Sequence, residues 1–252
     1  MPSIHLEELT WPDVKAAMQE GADTVVFGIG ATEQHGPHLP LACDSLIGGT
    51  LAEMVAGKLG NALVAPTVRV GCSQHHMSFP GTISVDSAEL QALLLDYLKT
   101  IFHHGFKRAV MIPSHGGNFA TVAETARIAR EKWPDRQVIA YTDLNHLLAV
   151  AFETASAFGI SAGEAGIHAG EFETSILLST HPHLVKMSRA EKGYTGEFTS
   201  IIPDLIAHGV ARVSPNGILG DARPSDASRG KYYLSAWVDL IMTEIERPKV
   251  AA

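Results

Sequence analysis

The 252-residue chain has 46% hydrophobic residues, enough to bury a sizeable core, and we expect a single domain over residues 1–252. A net charge of −8 without a run of Lys or Arg argues against a nucleic-acid partner, and no apolar run approaches the roughly 20 residues that span a bilayer. The two cysteines, Cys43 and Cys72, are expected to be packing residues, and the N-terminus lacks a signal-peptide pattern, so a cytoplasmic location is predicted.

The first half of the chain alternates helical and extended patterns. A helix is predicted over Leu9–Gln19, with Thr10 as its N-cap. A longer helix follows Asp86, which forms a capping-box pattern with Glu89, and Gly105 ends it. Another helix is predicted in FATVAETARIAREKW. Four apolar runs bounded by turn residues are typical of buried strands: DTVVFGIG, ALVAPTVRV, RAVMIPS and QVIAYTD.

The second half is predicted to be mostly helical. Helical spacing occurs in LNHLLAVAFETASAF and in AGEFETSILLS, and a closing helix is predicted over 225–246. Residues 186–223 are rich in Gly, Pro and Ser and are predicted to form a long excursion. The alternation of strands and helices predicts an α/β fold in which helices cover both faces of a mostly parallel central sheet.

Polar residues follow three of the predicted strands. Because the carboxyl ends of parallel strands share one edge of a sheet, we expect the three loops to meet where such folds bind ligands. The polar residues are Glu33, His35, His38 and Asp44 in the first loop, Ser73, His75 and His76 in the second, and Ser114, His115 and Asn118 in the third.

Four of these side chains form a pattern typical of a metal site. Glu33 and His35 are separated by one residue, so in an extended chain they face the same side. Asp44 follows a turn that lets it reach back, and its two oxygens can bridge two cations. Together with His115, this mixture of imidazole and carboxylate suits Zn²⁺, Mn²⁺ or Fe²⁺ better than Mg²⁺ or Ca²⁺. The remaining loop histidines are expected to have no ligand role: His5, His103, His104, His146, His181, His183 and His208.

The segment GIHAGEFETS adds His168, Glu171 and Glu173. Side chains two residues apart diverge on a helix. If the segment is helical, at most one of the two glutamates therefore points into the site. The spacing leaves open which of the two it is.

Four motifs in order carry a family resemblance: ATEQHGPHLPLACD, HHMSFPGT, SHGGN and HAGEFETS. With them, the chain resembles the creatininase (creatinine amidohydrolase) family from about residue 25 to residue 180. The resemblance implies a single creatininase-like metallohydrolase domain with a three-layer α/β/α sandwich. It also implies a two-metal site and a homo-oligomer, either a hexamer or a dimer-based assembly.

The same resemblance assigns metal ligands residue by residue. Glu33 and His115 would hold one ion, and His35 would hold the other. Asp44 would bridge the two ions. Glu173 matches a family-wide acid and is assigned as a ligand of the second ion.

Catalytic and substrate-binding residues are also assigned from the match and from position. His168 matches the family histidine that works as acid and base near the substrate, and Glu173 is placed with it among the catalytic residues. Ser73, His75 and Asn118 are candidate substrate contacts because they follow predicted strands at the same edge.

The chain departs from creatininase itself after His115. The family's creatininase branch has a Tyr and a metal-binding Glu there, whereas this chain has Gly116 and Gly117. An aromatic pocket for creatinine is not expected, because none of the Trp residues is near the His168 motif in the sequence. The glycines are expected to leave room for a larger substrate.

The predicted function is therefore a metal-dependent hydrolase that uses two divalent ions, Zn²⁺ and/or Mn²⁺ with Fe²⁺ as a further candidate. Its substrate is expected to be a small molecule with a non-peptide amide C–N bond, a cyclic amide or a formamide, rather than creatinine. Two adjacent cations would convert a shared water to hydroxide near neutral pH. The alternatives are a hydrolase of an inositol-derived keto compound, a peptide-trimming enzyme of cofactor maturation, or a metal-binding protein without catalysis.

Overall fold

The central sheet has the strand order β2-β1-β3-β4, and every neighbouring pair is parallel. The computed structural model describes residues 3–247. All six residues of β1 are buried, as expected for a strand covered on both faces. The strands are β1 (Thr24–Ile29), β2 (Ala62–Val64), β3 (Arg108–Pro113) and β4 (Gln137–Ala140).

Helices cover both faces of this sheet. Alternate residues of β1 enter two separate apolar cores, with Val26 in one and Val25 and Phe27 in the other. The first core includes residues of α2, α5, α7 and α10, and the second includes residues of α1, α3 and α4. The three-layer α/β/α sandwich is therefore confirmed. The helices are α1 (Trp11–Gln19), α2 (Cys43–Leu59), α3 (Ser87–His103), α4 (Phe119–Lys132), α5 (Leu144–Ser156), α6 (Ala162–Ala165), α7 (Glu171–Thr180), α8 (Ile202–His208), α9 (Val210–Val213) and α10 (Ala227–Glu246).

Two local predictions differ from the structure. The strand predicted in ALVAPTVRV ends at Val64, because Pro66 has no N–H to donate to a ladder; the chain rejoins β1 only at Val68. Asp86 precedes α3 as predicted, but its side chain does not cap the helix. Its carboxylate instead accepts a hydrogen bond of 2.9 Å from the amide of Gln74.

The excursion over residues 186–223 packs beside the loop that follows β2. Leu205 of α8, Val210 of α9 and Leu219 form a small apolar cluster that contacts Phe79 of that loop. This packing holds the loop with the paired histidines against the edge of the sheet. Within residues 3–247, no helix has the length and apolar character needed to cross a bilayer.

Candidate metal centre

The five predicted ligands come from four places in the chain and meet at the carboxyl edge of the sheet. Glu33 and His35 lie in the loop after β1, and Asp44 lies in the first turn of α2. His115 directly follows β3, and Glu173 lies in the first turn of α7. All five side chains are buried, with Glu33 and His35 at 0% exposure. We call these five residues the donor cluster.

Glu33, His115 and one oxygen of Asp44 form the first half of the donor cluster. Nδ1 of His115 lies 3.3 Å from Glu33 Oε1 and 3.5 Å from Asp44 Oδ2. The other ring nitrogen of His115, Nε2, is 3.1 Å from the carbonyl oxygen of Cys72 and donates to it. A neutral imidazole oriented in this way presents the lone pair of Nδ1 to both carboxylates.

His35, Glu173 and the second oxygen of Asp44 form the other half. Nε2 of His35 lies 3.2 Å from Asp44 Oδ1 and 3.7 Å from Glu173 Oε2. Its Nδ1 is 3.2 Å from the carbonyl oxygen of Glu33, which fixes the ring. Asp44 thus faces one half with each of its oxygens, which is the arrangement of a carboxylate that bridges two cations.

Three carboxylate oxygens at the centre of the donor cluster have no hydrogen-bond partner among the described residues: Glu33 Oε1, Glu33 Oε2 and Asp44 Oδ2. Imidazole nitrogens lie 3.2 to 3.6 Å from Glu33 Oε1, but they are not aligned for hydrogen bonds. Leaving buried charged oxygens unpaired costs several kcal/mol unless a cation compensates them (about 1–3 kcal/mol or more per group). The residues present therefore fit divalent cations.

The charges of the donor cluster reinforce this fit. Burial opposes protonation of His115, but Glu33 and Asp44 outweigh it and raise the pKa of His115 to about 9. Burial also raises the pKa of Glu173, to about 7, although His35 acts in the opposite direction. The carboxylates make the site strongly negative. In the absence of cations, protons therefore bind to the same groups that would otherwise coordinate the cations.

Gln34 fixes the proton positions of two further histidines. Its Oε1 accepts from the N–H of Gly36 at 2.9 Å, so the amide nitrogen is the donor on the other side. That nitrogen lies 3.1 Å from the Gly217 carbonyl and 2.8 Å from His76 Nδ1, which uses both of its hydrogens. Nε2 of His168 lies 2.9 Å from this amide nitrogen, which has no hydrogen left to donate, and 2.8 Å from the Gln34 carbonyl oxygen, which can only accept, so Nε2 donates to that oxygen. The lone pair of His168 therefore lies on Nδ1.

His168 faces the donor cluster with that lone pair. Its Nδ1 lies 3.6 Å from Glu33 Oε1, and burial together with the nearby His35 lowers the pKa of His168 well below its usual range. The side chain is therefore a neutral imidazole whose basic nitrogen points at the site. The His168 side chain is 7% exposed, so this nitrogen is largely shielded from solvent.

His76 is a site residue that the sequence did not select. Its Nε2 lies 3.2 Å from Glu33 Oε1, and the side chain is 2% exposed. Its neighbour His75 is half-buried and stacks on His115, with ring centroids 5.6 Å apart. Both histidines lie in a short 3₁₀ turn over Gln74–His76, and only the direction of that turn decides which ring points inward.

The choice between the two glutamates of α7 is clear in the structure. Glu171 is buried away from the donor cluster, where it accepts hydrogen bonds from Ser175 (2.6 Å), Arg229 (2.7 Å) and Tyr233 (2.6 Å). Glu173 is the residue that faces His35. Its Oε2 also accepts a hydrogen bond of 2.6 Å from the N–H of Ala169, whose φ of 53° turns the backbone toward it.

The three candidate substrate contacts differ in what they can offer. Asn118 corrects the expectation: it is fully buried, and its amide bonds to the backbone of Cys72, Ile29 and Gly30, so nothing remains for a substrate. The hydroxyl of Ser73 is buried without a hydrogen bond and is free to accept a partner. Like His75, it remains a candidate.

The expectation that two glycines leave extra room is wrong at Gly117. A Cβ there would lie 2.3 Å from the Cys72 carbonyl oxygen and 2.6 Å from His115 Nε2, so the space is already filled. Gly116 is open, since a Cβ there would meet only Leu144, at 3.9 Å. Trp237 also lies closer to the HAGEFETS motif than expected, because its ring stacks on Phe172 of that motif. Both rings belong to the apolar core.

Comparison with known proteins agrees with this geometry. The family model for creatininase, described as creatinine amidohydrolase, matches residues 7–245. The chain belongs to the creatininase family. It is a hydrolase of that family, as the four motifs predicted.

Relatives within the family have different names. The mycofactocin precursor peptide peptidase of Mycobacterium ulcerans (strain Agy99) is 32% identical over 94% of this chain and 86% of the relative. The creatinine amidohydrolase of Pseudomonas putida is 29% identical over 96% of each chain. A solved structure named as the Mn form of creatininase has a TM-score of 0.79 and 27% identity, covering 98% of this chain and all of that one. A mutant creatininase of Zn-Zn type superposes equally well, with a TM-score of 0.79.

Proposed function

We propose that this chain is an amidohydrolase that uses two divalent cations, Zn²⁺ and/or Mn²⁺, to cleave a non-peptide amide C–N bond of a small molecule. The proposed substrate class is a cyclic amide or a formamide. The observation that carries the proposal is the group of buried, unpartnered carboxylate oxygens on Glu33 and Asp44, which face imidazole nitrogens from two sides.

The donor cluster divides naturally between two ions. Glu33, His115 and Asp44 Oδ2 would hold one of them. His35, Glu173 and Asp44 Oδ1 would hold the other. Donor sets of imidazole and carboxylate are typical of Zn²⁺ and Mn²⁺. When bound, such a pair lowers the pKa of water and polarises a carbonyl group.

His168 is the residue proposed to move the proton. Its neutral Nδ1 faces the donor cluster and can accept a proton from the attacking water. The same nitrogen then donates that proton to the leaving nitrogen of the amide, which would otherwise depart as a strongly basic anion. The hydrogen bond from Nε2 to the Gln34 carbonyl holds the ring in the required tautomer during both steps.

Residues at the rim are proposed to contact the substrate. His75 is half-buried and stacked on His115, so it lies between the donor cluster and the protein surface. The unpartnered hydroxyl of Ser73 lies deeper in the same loop. Because Gly117 has no space for a side chain, the pocket differs from that of creatininase at this point, and creatinine is not the proposed substrate.

A second candidate function is the trimming of a peptide during cofactor maturation. It is favoured by the peptide peptidase relative, which is 32% identical over nearly the whole chain. Both functions hydrolyse an amide C–N bond with the same donor cluster. They differ in the length of substrate that the rim must accept, so substrate tests separate them directly.

The test is a substrate screen with protein loaded with Mn²⁺ or Zn²⁺. Cyclic amides, formamides, short peptides and inosose-type lactones or ketones are supplied in parallel, and products are identified by mass spectrometry. Turnover should disappear with a chelator and return with either ion. His168→Ala should retain metal and lose turnover, whereas the exposed His103→Ala should retain both. Turnover that survives chelation, or that survives in His168→Ala, would contradict the mechanism.

Three broader features are proposed from the sequence. We infer that residues 1–252 form one domain, that the protein is a homo-oligomer (a hexamer or a dimer-based assembly), and that it works in the cytoplasm. Size-exclusion chromatography with light scattering measures the assembly. A monomeric mass across micromolar concentrations would contradict the second of these inferences.

A further inference from the structure

Cys43, the residue before Asp44, places a sulfur atom near His35 and Glu173 of the donor cluster. We propose that Cys43 is a ligand of the cation that His35 and Glu173 hold, and that it makes this half of the centre selective for Zn²⁺ over Mn²⁺. This inference rests on the proposed two-cation function and names a donor that the family match did not supply.

The geometry places the sulfur with the other two donors. One ligand atom each from His35, Cys43 and Glu173 lie within 4.8 Å of one another. Cys43 is fully buried, at 0% exposure. It is the first residue of α2, and its N–H donates a hydrogen bond of 3.1 Å to the Pro40 carbonyl, so the backbone that carries the sulfur is fixed.

The surroundings also point to a ligand rather than to packing alone. Asp44, the next residue, directs its Oδ1 to His35 Nε2 at 3.2 Å, so a carboxylate oxygen also faces this half of the donor cluster. Cys43 borders the apolar core beneath α2, but its sulfur also lies near an imidazole and a carboxylate, which are neighbours that a purely packing sulfur would not need. On binding, the thiol would release its proton to solvent, because metal ions bind sulfur as the thiolate.

Sulfur makes the two halves of the centre chemically different. Thiolate is a soft donor that favours Zn²⁺, whereas carboxylate oxygens also suit Mn²⁺. Among the described residues, the clusters of potential ligand atoms that include Glu33 contain no sulfur. We therefore expect Zn²⁺ at the half with Cys43 and either Zn²⁺ or Mn²⁺ at the other half.

The chain contains its own control. Cys72 is the only other cysteine in the sequence. It is also buried, and its sulfur lies 4.0 Å from the Thr121 hydroxyl. Cys72→Ser therefore removes a buried sulfur outside the donor cluster, whereas Cys43→Ser removes the proposed ligand.

The experiment is substitution with Co²⁺, followed by absorption spectroscopy and metal analysis. Wild-type protein and Cys72→Ser should bind two Co²⁺ and show the near-ultraviolet charge-transfer band of a thiolate–cobalt bond. Cys43→Ser should lack the band while it keeps Co²⁺ at the half with Glu33. In competition between Zn²⁺ and Mn²⁺, the preference of Cys43→Ser for Zn²⁺ should fall by about tenfold or more, the scale of losing a well-placed contact at a metal site.

The outcomes separate this inference from the proposed function. Two bound Co²⁺ without a thiolate band, or a band that persists in Cys43→Ser, would overturn the ligand role and leave the two-cation hydrolase intact. Failure of the wild-type protein to bind Co²⁺, Zn²⁺ or Mn²⁺ would overturn both. Circular dichroism of Cys43→Ser and Cys43→Ala verifies that a lost band is not a loss of fold.

Discussion

Helix α7 contributes to two buried acidic clusters that differ in one respect. On one side, Glu171 meets Ser175, Arg229 and Tyr233, a group that we call the Glu171 cluster, and its carboxylate accepts three hydrogen bonds. On the other side lies the donor cluster, in which both oxygens of Glu33 have no partner. The first cluster is complete within the protein, and the second is complete only with cations.

This difference separates a structural role from a binding role. The guanidinium of Arg229 neutralises Glu171, and burial together with Glu171 raises the pKa of Tyr233, which stays a neutral donor. The Glu171 cluster therefore joins α10 to α7 without any ligand. A buried carboxylate left unpaired in a native structure calls for a different explanation, and a bound cation is the most direct one.

The largest effect is expected for Asp44→Asn, which replaces one oxygen of the carboxylate shared by both halves of the donor cluster with an amide nitrogen. Bound metal, measured by mass spectrometry, should fall below one ion per chain. Activity should fall at least about 1,000-fold, equivalent to about 4 kcal/mol. Asp96→Asn, on the exposed face of α3, is the control. Two retained ions would break the comparison.

Exchanging the two glutamates of α7 for Gln tests the comparison within one helix. Glu171→Gln leaves the largely buried Arg229 without its counter-charge and should lower the free energy of unfolding by about 3 kcal/mol. For a chain of this size, that lowers Tm by about 10 °C. Glu173→Gln should instead lose one metal ion with little change in the Tm of the metal-free protein. The reverse pattern would show that the assignments of the two residues are exchanged.

Metal removal should affect only the second cluster. A cation at about 100 times its Kd stabilises the folded state by about 2.7 kcal/mol. Chelation should therefore lower Tm by about 5–10 °C in wild type. Glu171→Gln should show the same shift from its lower starting point, and Asp44→Asn should show none. An unchanged wild-type Tm after verified metal loss would argue against the role of cations in completing the site.

The smallest expected effect concerns the backbone that supports His115. Gly117→Ala pushes a Cβ against the Cys72 carbonyl and the His115 ring, and should cost about 1–3 kcal/mol of unfolding free energy and weaken metal binding. Gly116→Ala, whose Cβ meets nothing closer than 3.9 Å, should stay within about 0.5 kcal/mol of wild type. Equal behaviour of the two variants would show that the close packing around His115 does not matter.

The fold was predictable because the apolar patterns are regular. Strands such as Thr24–Ile29 are buried on both faces, and helices such as Ala227–Glu246 keep strict helical spacing, so burial alone identifies them. The grouping of Glu33, Asp44 and His115 was predictable for a related reason. Parallel strands deliver their following loops to one edge, whatever the loop conformation.

The remaining details of the site depend on the direction in which individual side chains point. The periodicity of the sequence does not predict that direction. Only the 3₁₀ turn decides that His76, not His75, points at Glu33. Asn118 and Gly117 looked like substrate-facing positions but support the backbone around His115. Cys43 looked like a packing residue because its partners are distant in sequence, and only folding brings its sulfur beside Glu173.

The positions of the metal-ligating residues in the sequence determine the order of folding and metal binding. Glu33 and Glu173 are 140 positions apart, and the segments that carry them meet only after α7 has docked on α2 and α10. A nascent or unfolded chain can offer an ion no more than a few neighbouring ligands, so capture of the pair should be a late event in biogenesis. Loss of the ions should correspondingly be the first step of inactivation, and it should precede unfolding of the central sheet.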